Sequence, residues 1–197
     1  QKKYPDSMSI KDLFKALADV YCANTPIERT ARAALMSSNA KPFSFTSTAL
    51  RTPFIEAMTA SNAHPICSQL MGTPLPWAPP LTTSSEKYIK DSLPKAHVEL
   101  LGPNGLVKSG RVRLGIYGMM PGSEYGMRTH PAEEIYIMLA GQADWALENR
   151  PYTDHGPGDR SHHPSMMPHA NRTHISAFMS TYVWIGDIST DNYVYFG

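Results

Sequence analysis

The sequence predicts a mainly β protein, an antiparallel sandwich or small barrel, preceded by a helical region. Two observations carry this. Apolar residues in the first half recur at helical spacing, whereas those of the second half alternate with the period of two that a half-buried strand requires. Turn signals rich in glycine and proline separate the alternating runs, at Pro103-Asn104-Gly105, Pro121-Gly122 and Gly156-Pro157-Gly158.

Each element follows from local chemistry. Ile10, Leu13, Phe14, Leu17, Val20 and Tyr21 form one apolar helix face, with Ser9 and Asp12 as a capping signal. Thr25 as N-cap, Pro26 at the first helical position and Glu28 at the third open a second helix. Thr52-Pro53 opens a third, running towards Met58. The proline-rich stretch 74–80 suits neither helix nor central strand. A short helix around 86–91 ends before Pro94. Beyond it, Val112, Leu114 and Ile116 alternate with Arg111, Arg113 and Gly115, and Ala143, Trp145 and Leu147 alternate with Asp144 and Ala146. Residues 182–185 and 193–196 are short β-branched and aromatic runs. The expected organisation is a helical region, 1–94, packing on a β-barrel domain, 95–197.

Composition excludes several functions. At 197 residues with 18 basic and 17 acidic side chains the net charge is +1, without the basic face of a nucleic-acid or membrane-surface protein. No apolar run approaches the roughly 20 residues of a membrane span. The first nine residues lack an apolar signal core and are set aside as a trimmed terminus. Cys22 and Cys67 make no disulfide framework and read as buried reduced thiols. The expectation is a cytoplasmic protein, with a homo-oligomeric state left open. There is no internal repeat, glycine-rich phosphate loop, GxSxG elbow or Cys/His nucleophile pair.

Chemistry concentrates in 124–141, EYGMRTHPAEEIYIMLAG. Glu134 and Tyr136 share one face of a predicted strand, while Ile135, Ile137 and Leu139 share the other. A buried carboxylate is unfavourable alone, and a metal ion or a strong hydrogen-bond partner offsets it. His130 enters the same strand. Six of the eight histidines lie after residue 129, five of them between His155 and His174. A second pass of chain there supplies another ligand. Two nitrogens and a carboxylate suit non-haem Fe(II), and also Zn(II), Mn(II) or Ni(II).

These residues carry a resemblance. Gly122, His130, Glu134 and Gly141 fit the first motif of the cupins, with Arg128 in the place of its first histidine. Gly158, Pro164 and His169 fit the second, with Met166 for its glycine and Thr173 for its asparagine. Together with the helical first half, residues 125–141 resemble the bacterial cupin-type dimethylsulfoniopropionate (DMSP) lyases, particularly the DddQ-like branch. The resemblance implies a cupin fold, a double-stranded β-helix or jelly-roll barrel, with the helical region packed on it. It implies one divalent transition metal ion, iron, zinc or manganese, surrounded by His130, Glu134, Tyr136 and His169, with Tyr125 as base. The implied reaction is β-elimination of the zwitterion DMSP to dimethyl sulfide and acrylate. An Fe(II) cupin dioxygenase and a non-catalytic small-ligand cupin are the alternatives.

Tyr136, as a neutral phenol, also reads as a pocket hydrogen-bonding group. A nearby cation would lower the pKa of a catalytic Tyr125, and Arg128 is three residues away. Aromatic faces suit a sulfonium, and Tyr136, Trp145, Tyr182 and Trp184 are candidates. Arg128 cannot ligate; it is expected to pair with Glu124 or Glu133 at the surface, or to hold the substrate carboxylate. Glu133 alternates to the opposite face and reads as structural. His162 and His163 precede a proline and read as an exposed loop pair. His64, His97, His155 and His174 are expected to have no functional role, Asn171 and Arg172 to brace the strand, and Met127, Met138, Met166 and Met167 to fill the core.

Overall fold

The structure, a computed structural model, describes residues 9–38 and 42–197, so the expected terminus, apart from Ser9, lies outside the described residues. Five helices precede eleven strands among them. The helices are α1 (Ile10–Val20), α2 (Pro26–Ser37), α3 (Thr52–Thr59), α4 (Ile66–Gly72) and α5 (Glu86–Ser92). Ser9 caps α1 by accepting from the Asp12 amide, and Thr25 caps α2 by accepting from Glu28, as their sequences predict. Helix α4 has no counterpart among the elements the sequence predicts. It is short and has no side-chain cap, beginning behind a helical Pro65.

The strands are β1 (Lys95–Gly102), β2 (Val107–Lys108), β3 (Arg113–Met119), β4 (Glu124–Thr129), β5 (Glu133–Gly141), β6 (Ala143–Leu147), β7 (Thr153–His155), β8 (Arg160–His163), β9 (His169–Arg172), β10 (Phe178–Ile185) and β11 (Val194–Tyr195). They form a six-stranded sheet in the order β2-β1-β3-β10-β5-β8 and a five-stranded sheet in the order β11-β4-β9-β6-β7. Every pairing is antiparallel except β1 with β2. The two facing sheets make a jelly-roll barrel with a helical part, the architecture that the sequence resemblance implies.

Two apolar clusters explain the architecture. One joins Leu13, Phe14, Leu17, Phe54 and Leu70 of the helices to Ile135, Ile137, Leu139, Ile116 and Val183, on the outer face of the six-stranded sheet. The other lies inside the barrel and contains Tyr117, Tyr125, Tyr136, Met138, Trp145, Phe178, Tyr182 and Trp184. Strand β5 therefore shows its alternate residues to two different interiors. Its aliphatic face receives the helices, and its Glu134–Tyr136 face looks into the barrel. The same double coverage buries every residue of β3.

Polar bonds also tie helices to barrel. Glu28, fully buried, accepts from the Arg160 guanidinium at 2.6 and 3.1 Å, anchoring α2 to β8. The Tyr21 hydroxyl and Thr181 Oγ1 share a 2.8 Å hydrogen bond. Gly141, which closes the first motif, adopts a φ of +69°, and a Cβ there would lie 1.9 Å from the Ala177 carbonyl oxygen. Only glycine fits that approach of β5 to β10. Of the two thiols expected to be buried, Cys67 is buried, but Cys22 is exposed beside α2.

Candidate metal centre

Strand register assembles the centre. In the six-stranded sheet, Glu134 of β5 stands opposite Trp184 of β10 on one side and His163 of β8 on the other. Residues paired across antiparallel strands share a face, so all three side chains enter the barrel. His130 lies just ahead of β5, and His169 comes from β9 of the facing sheet. All four polar members are buried: His130 and Glu134 are 2% and 1% exposed, His163 and His169 0%.

Their donors meet at one carboxylate oxygen. Glu134 Oε2 lies 3.2 Å from His130 Nε2, 3.0 Å from His163 Nδ1 and 3.1 Å from His169 Nε2. Trp184 Nε1 donates to the other oxygen, Oε1. His130 Nδ1 donates to the Ala132 carbonyl and His169 Nδ1 to that of Met167, which leaves Nε2 of each ring facing inward. His169 Nε2 is close to the carboxylate but not aligned for a hydrogen bond, and so is a buried polar atom without a hydrogen-bond partner. His130, Glu134 and His169 present their ligand atoms within 4.8 Å of one another. That convergence of ring nitrogens on a buried carboxylate, with one nitrogen orphaned, fits a metal ion.

The electrostatics agree. Burial pushes the Glu134 carboxyl up, but the surrounding imidazoles of His130, His163 and His169 hold it well below the ordinary carboxylate range. Burial lowers His163 to about 4 and takes His169 well below its ordinary value. The centre is an anion held among three imidazole rings.

A cavity of about 310 Å³ opens beside it. Tyr125, Arg128, Glu134, Tyr136, Tyr182 and Trp184, all anticipated from the sequence, line its wall. Trp145 does not; it packs behind Tyr136, with ring centres 4.5 Å apart. Tyr136 shares the face of Glu134 but makes no hydrogen bond to the four polar members among the described residues. The Tyr125 and Tyr193 hydroxyls are hydrogen-bonded to each other. Burial, then Tyr193 and Tyr88, hold the Tyr125 phenol well above its ordinary value, with Arg128 pulling the other way.

Two expectations are corrected. Arg128 does not pair at the surface: it is 1% exposed, with Nη2 donating to Asn171 Oδ1 at 3.1 Å and its Cζ 3.7 Å from the centre of the Tyr125 ring. A register shift between Tyr125 and Arg128 in the β4–β9 pairing lets two residues three apart both point inward. His163 is not an exposed loop residue, because β8 extends through it. Strand alternation turns His162 outward, where it meets Glu133 at 2.8 Å, and turns His163 into the centre. The structural reading of Glu133 agrees with that contact.

Other groups had no usable signal. Lys95 and Tyr193 are distant in sequence and Tyr117 belongs to a strand of the other sheet, so their approach to Tyr125 is a product of the fold. His97 shares a 2.7 Å hydrogen bond with Tyr182 in the cavity wall. Asn171 braces the site through Arg128, while Arg172 and His174 both meet Asp144 outside it. His155 Nδ1 donates to the nearby Thr153 carbonyl, and His64 Nδ1 accepts from the Ile66 amide at the start of α4. Met138 fills the interior, but Met166 is 51% exposed.

Known proteins share this architecture. A crystal structure of the DMSP lyase DddQ from Ruegeria pomeroyi superposes with a TM-score of 0.66 and 25% identity, covering 95% of each chain. Crystal structures of the DMSP lyases RdDddP and RnDddQII include a chain matching at a TM-score of 0.69 and 24% identity, over 94% of this chain and 96% of that one, which speaks to fold. In sequence, the curated DMSP lyase DddQ of Ruegeria pomeroyi is 42% identical over 91 residues, 46% of this chain; the match spans 45% of that relative's length. No helix among the described residues is long and apolar enough to cross a membrane. Residues 77–179, from the proline-rich connector to β10, match the model of the dimethylsulfoniopropionate lyase family, and the chain belongs to that family.

Proposed function

We propose that this chain is a metal-dependent carbon–sulfur lyase that cleaves DMSP by β-elimination to dimethyl sulfide and acrylate. One observation carries the reading: a single cavity wall holds Glu134 of the centre, a buried guanidinium with no carboxylate partner among the described residues, and aromatic faces. A zwitterion with a carboxylate at one end and a sulfonium at the other matches those two kinds of surface. His130, Glu134 and His169 would hold one divalent transition ion, iron, zinc or manganese. When bound, the ion supplies a Lewis acid that stabilises the enolate-like charge developing at the substrate carboxylate.

The remaining work falls to side chains. Arg128 offers its charge to the substrate carboxylate in a water-poor site. Tyr125 takes the proton from the carbon next to that carboxylate; the carbon–carbon double bond forms and the carbon–sulfur bond breaks, its electrons leaving on sulfur. Arg128 over the ring favours the tyrosinate, against the burial and the Tyr193 and Tyr88 phenols that oppose it. Tyr136, Tyr182 and Trp184 present faces for the sulfonium, and Trp145 supports Tyr136 from behind.

The test is headspace dimethyl sulfide and dissolved acrylate from purified protein and DMSP, with chelator-stripped and metal-restored samples compared under argon. Equal amounts of both products without oxygen, dependent on restored metal and lost in Tyr125→Phe, are expected. A strict oxygen requirement would sink the proposal, and full turnover by Tyr125→Phe would refute the base.

A further inference from the structure

Tyr125 takes a proton only as phenolate, yet burial, then Tyr193 and Tyr88, hold its phenol well above its ordinary value. Solvent alone would leave it protonated at neutral pH, so a base in this position needs an acceptor for its own proton. One lies directly on the ring. Strand β1 turns Ala96, Val98 and Leu100 to the helices, and Lys95, His97 and Glu99 to the barrel side. Lys95 Nζ comes to 3.2 Å from the centre of the Tyr125 ring and 5.4 Å from that of Tyr88. The residue is 1% exposed, and its amine has no hydrogen-bond partner among the described residues.

Arg128 Cζ lies 3.7 Å from the centre of the same Tyr125 ring. One face of a phenol has room for a single heavy atom that close to its centre, so the amine and the guanidinium take opposite faces. They offer different things. A guanidinium keeps its proton and supplies charge, whereas a desolvated lysine sheds its proton and supplies a lone pair. Burial first, then the Arg128 charge, lower Lys95 to about 6, with Asp91 pulling the other way. The charged and titratable groups around it are Tyr125 and Arg128 of β4, Tyr88 and Asp91 of α5, and Tyr195 of β11, which donates to Asp91 at 2.7 Å. Arg51 meets its backbone carbonyl, and Met119 faces it across the β1–β3 ladder. No hydrogen bond holds the amine, and its four-carbon stem is flexible, so Nζ can slide from the ring face to the hydroxyl at the ring edge. Catalytic hydrogen bonds are often long before substrate binds and tighten in the complex.

We propose that Lys95 is a positioning residue of the reaction that acts through Tyr125, accepting the phenol proton while Arg128 on the opposite face holds the phenolate charge. The inference rests on Tyr125 being the base, and the variants below separate the two. The Tyr125 O–H bond breaks and an Nζ–H bond forms, giving phenolate and ammonium with no change in net charge. Each is disfavoured alone in a buried site; formed together they attract one another. The phenolate then takes the proton from the carbon beside the substrate carboxylate and is a phenol again. Cleavage of DMSP to dimethyl sulfide and acrylate releases one proton overall. The ammonium gives that proton to solvent and returns to the free amine. A lysine this desolvated sheds it at neutral pH, whereas an exposed one, with a pKa of about 10.4, would hold it.

Steady-state kcat/KM for DMSP is measured from pH 5 to 10 on the metal-restored full chain, with wild type beside Lys95→Met and Tyr125→Phe, and with urea unfolding of each. The wild type should be level above about pH 7 and fall roughly tenfold per unit below about pH 6, where Lys95 keeps its proton. Lys95→Met should lose about 100–10,000-fold at pH 7, the range of a lost acid–base group, and regain roughly tenfold per unit towards pH 9. It should be no less stable than the wild type, which a lost packing role would not allow. In wild type labelled with 15N at lysine Nζ, one nitrogen, absent from Lys95→Met, should titrate near pH 6. A wild-type pH profile in Lys95→Met, or a loss equal at every pH, would overturn the role of Lys95. So would titration of that nitrogen near pH 10, whether or not the variant is active. Each of these leaves Tyr125 standing if Tyr125→Phe is inactive, while full turnover by Tyr125→Phe would remove the base and Lys95 with it.

Discussion

Lys95 opens β1 beneath the cavity, and replacing it with methionine should stabilise the protein substantially at neutral pH. Lys95 is 1% exposed, and its amine nitrogen has no hydrogen-bond partner among the described residues. The nitrogen lies 3.2 Å from the centre of the Tyr125 ring. Burial first, and the Arg128 charge second, lower its pKa to about 6. An amine with a lowered folded pKa destabilises the fold wherever the unfolded chain binds the proton and the folded chain does not. That penalty is absent above the unfolded value near 10.5, grows as pH falls, and levels off below about 6. At pH 7 the gap to the unfolded pKa is worth about 5 kcal/mol, at roughly 1.4 kcal/mol per pH unit. Methionine fills similar volume without a charge, so Lys95→Met should gain about 3–5 kcal/mol at pH 7, or roughly 10 °C in Tm. Urea unfolding of both proteins at pH 6, 7, 8, 9 and 10 tests this. The gain should shrink by about 1.4 kcal/mol per unit as pH rises through that range. Parallel stability profiles, or a variant less stable at pH 7, would refute the reasoning.

Three further outcomes follow from particular contacts. Arg128→Met should lower kcat/KM for DMSP about 10–100-fold, the worth of a charge-assisted hydrogen bond to the carboxylate, while Arg128→Lys recovers part of it; unchanged steady-state kinetics would remove Arg128 from substrate binding. Gly141→Ala combines a left-handed backbone with a clash against the Ala177 carbonyl, and should lose about 2–5 kcal/mol by denaturant titration; a loss under about 1 kcal/mol would show that β5 and β10 separate easily there. Met166, half-exposed with a φ of 63°, stands where the cupin motif has glycine. Met166→Gly should raise stability by about 0.5–1 kcal/mol, seen as a Tm increase of roughly 2–4 °C; a decrease would mean the thioether makes a contact that outweighs the backbone strain.

Much of the fold and of the centre is legible in the order of the residues. The caps at Ser9 and Thr25 are local hydrogen bonds, and local hydrogen bonds are written in adjacent residues. The alternation in 133–141 is a property of one strand, so its aliphatic and polar faces can be read directly, although not that helices cover the first. His130, Glu134 and His169 are visible through motif spacing, and they do meet. Strand β1 and helix α4 are not legible in this way, because neither carries a strong period or cap.

Sequence by itself determined the change from helical to strand period, the motif glycines and three of the four ligand candidates, His130, Glu134 and His169, because each depends on neighbours a few residues apart. Tertiary structure alone decided the rest. Arg128 is buried because a register shift in β4 breaks the alternation that would have turned it outward. His163 belongs to the centre because β8 pairs with β5 in the one register that sets it opposite Glu134; a slip of one residue would have turned His162 inward instead. Lys95 and Tyr193 reach Tyr125 from opposite ends of the barrel domain. Contacts between residues far apart in the chain are fixed by strand pairing and packing, and those are properties of the whole fold.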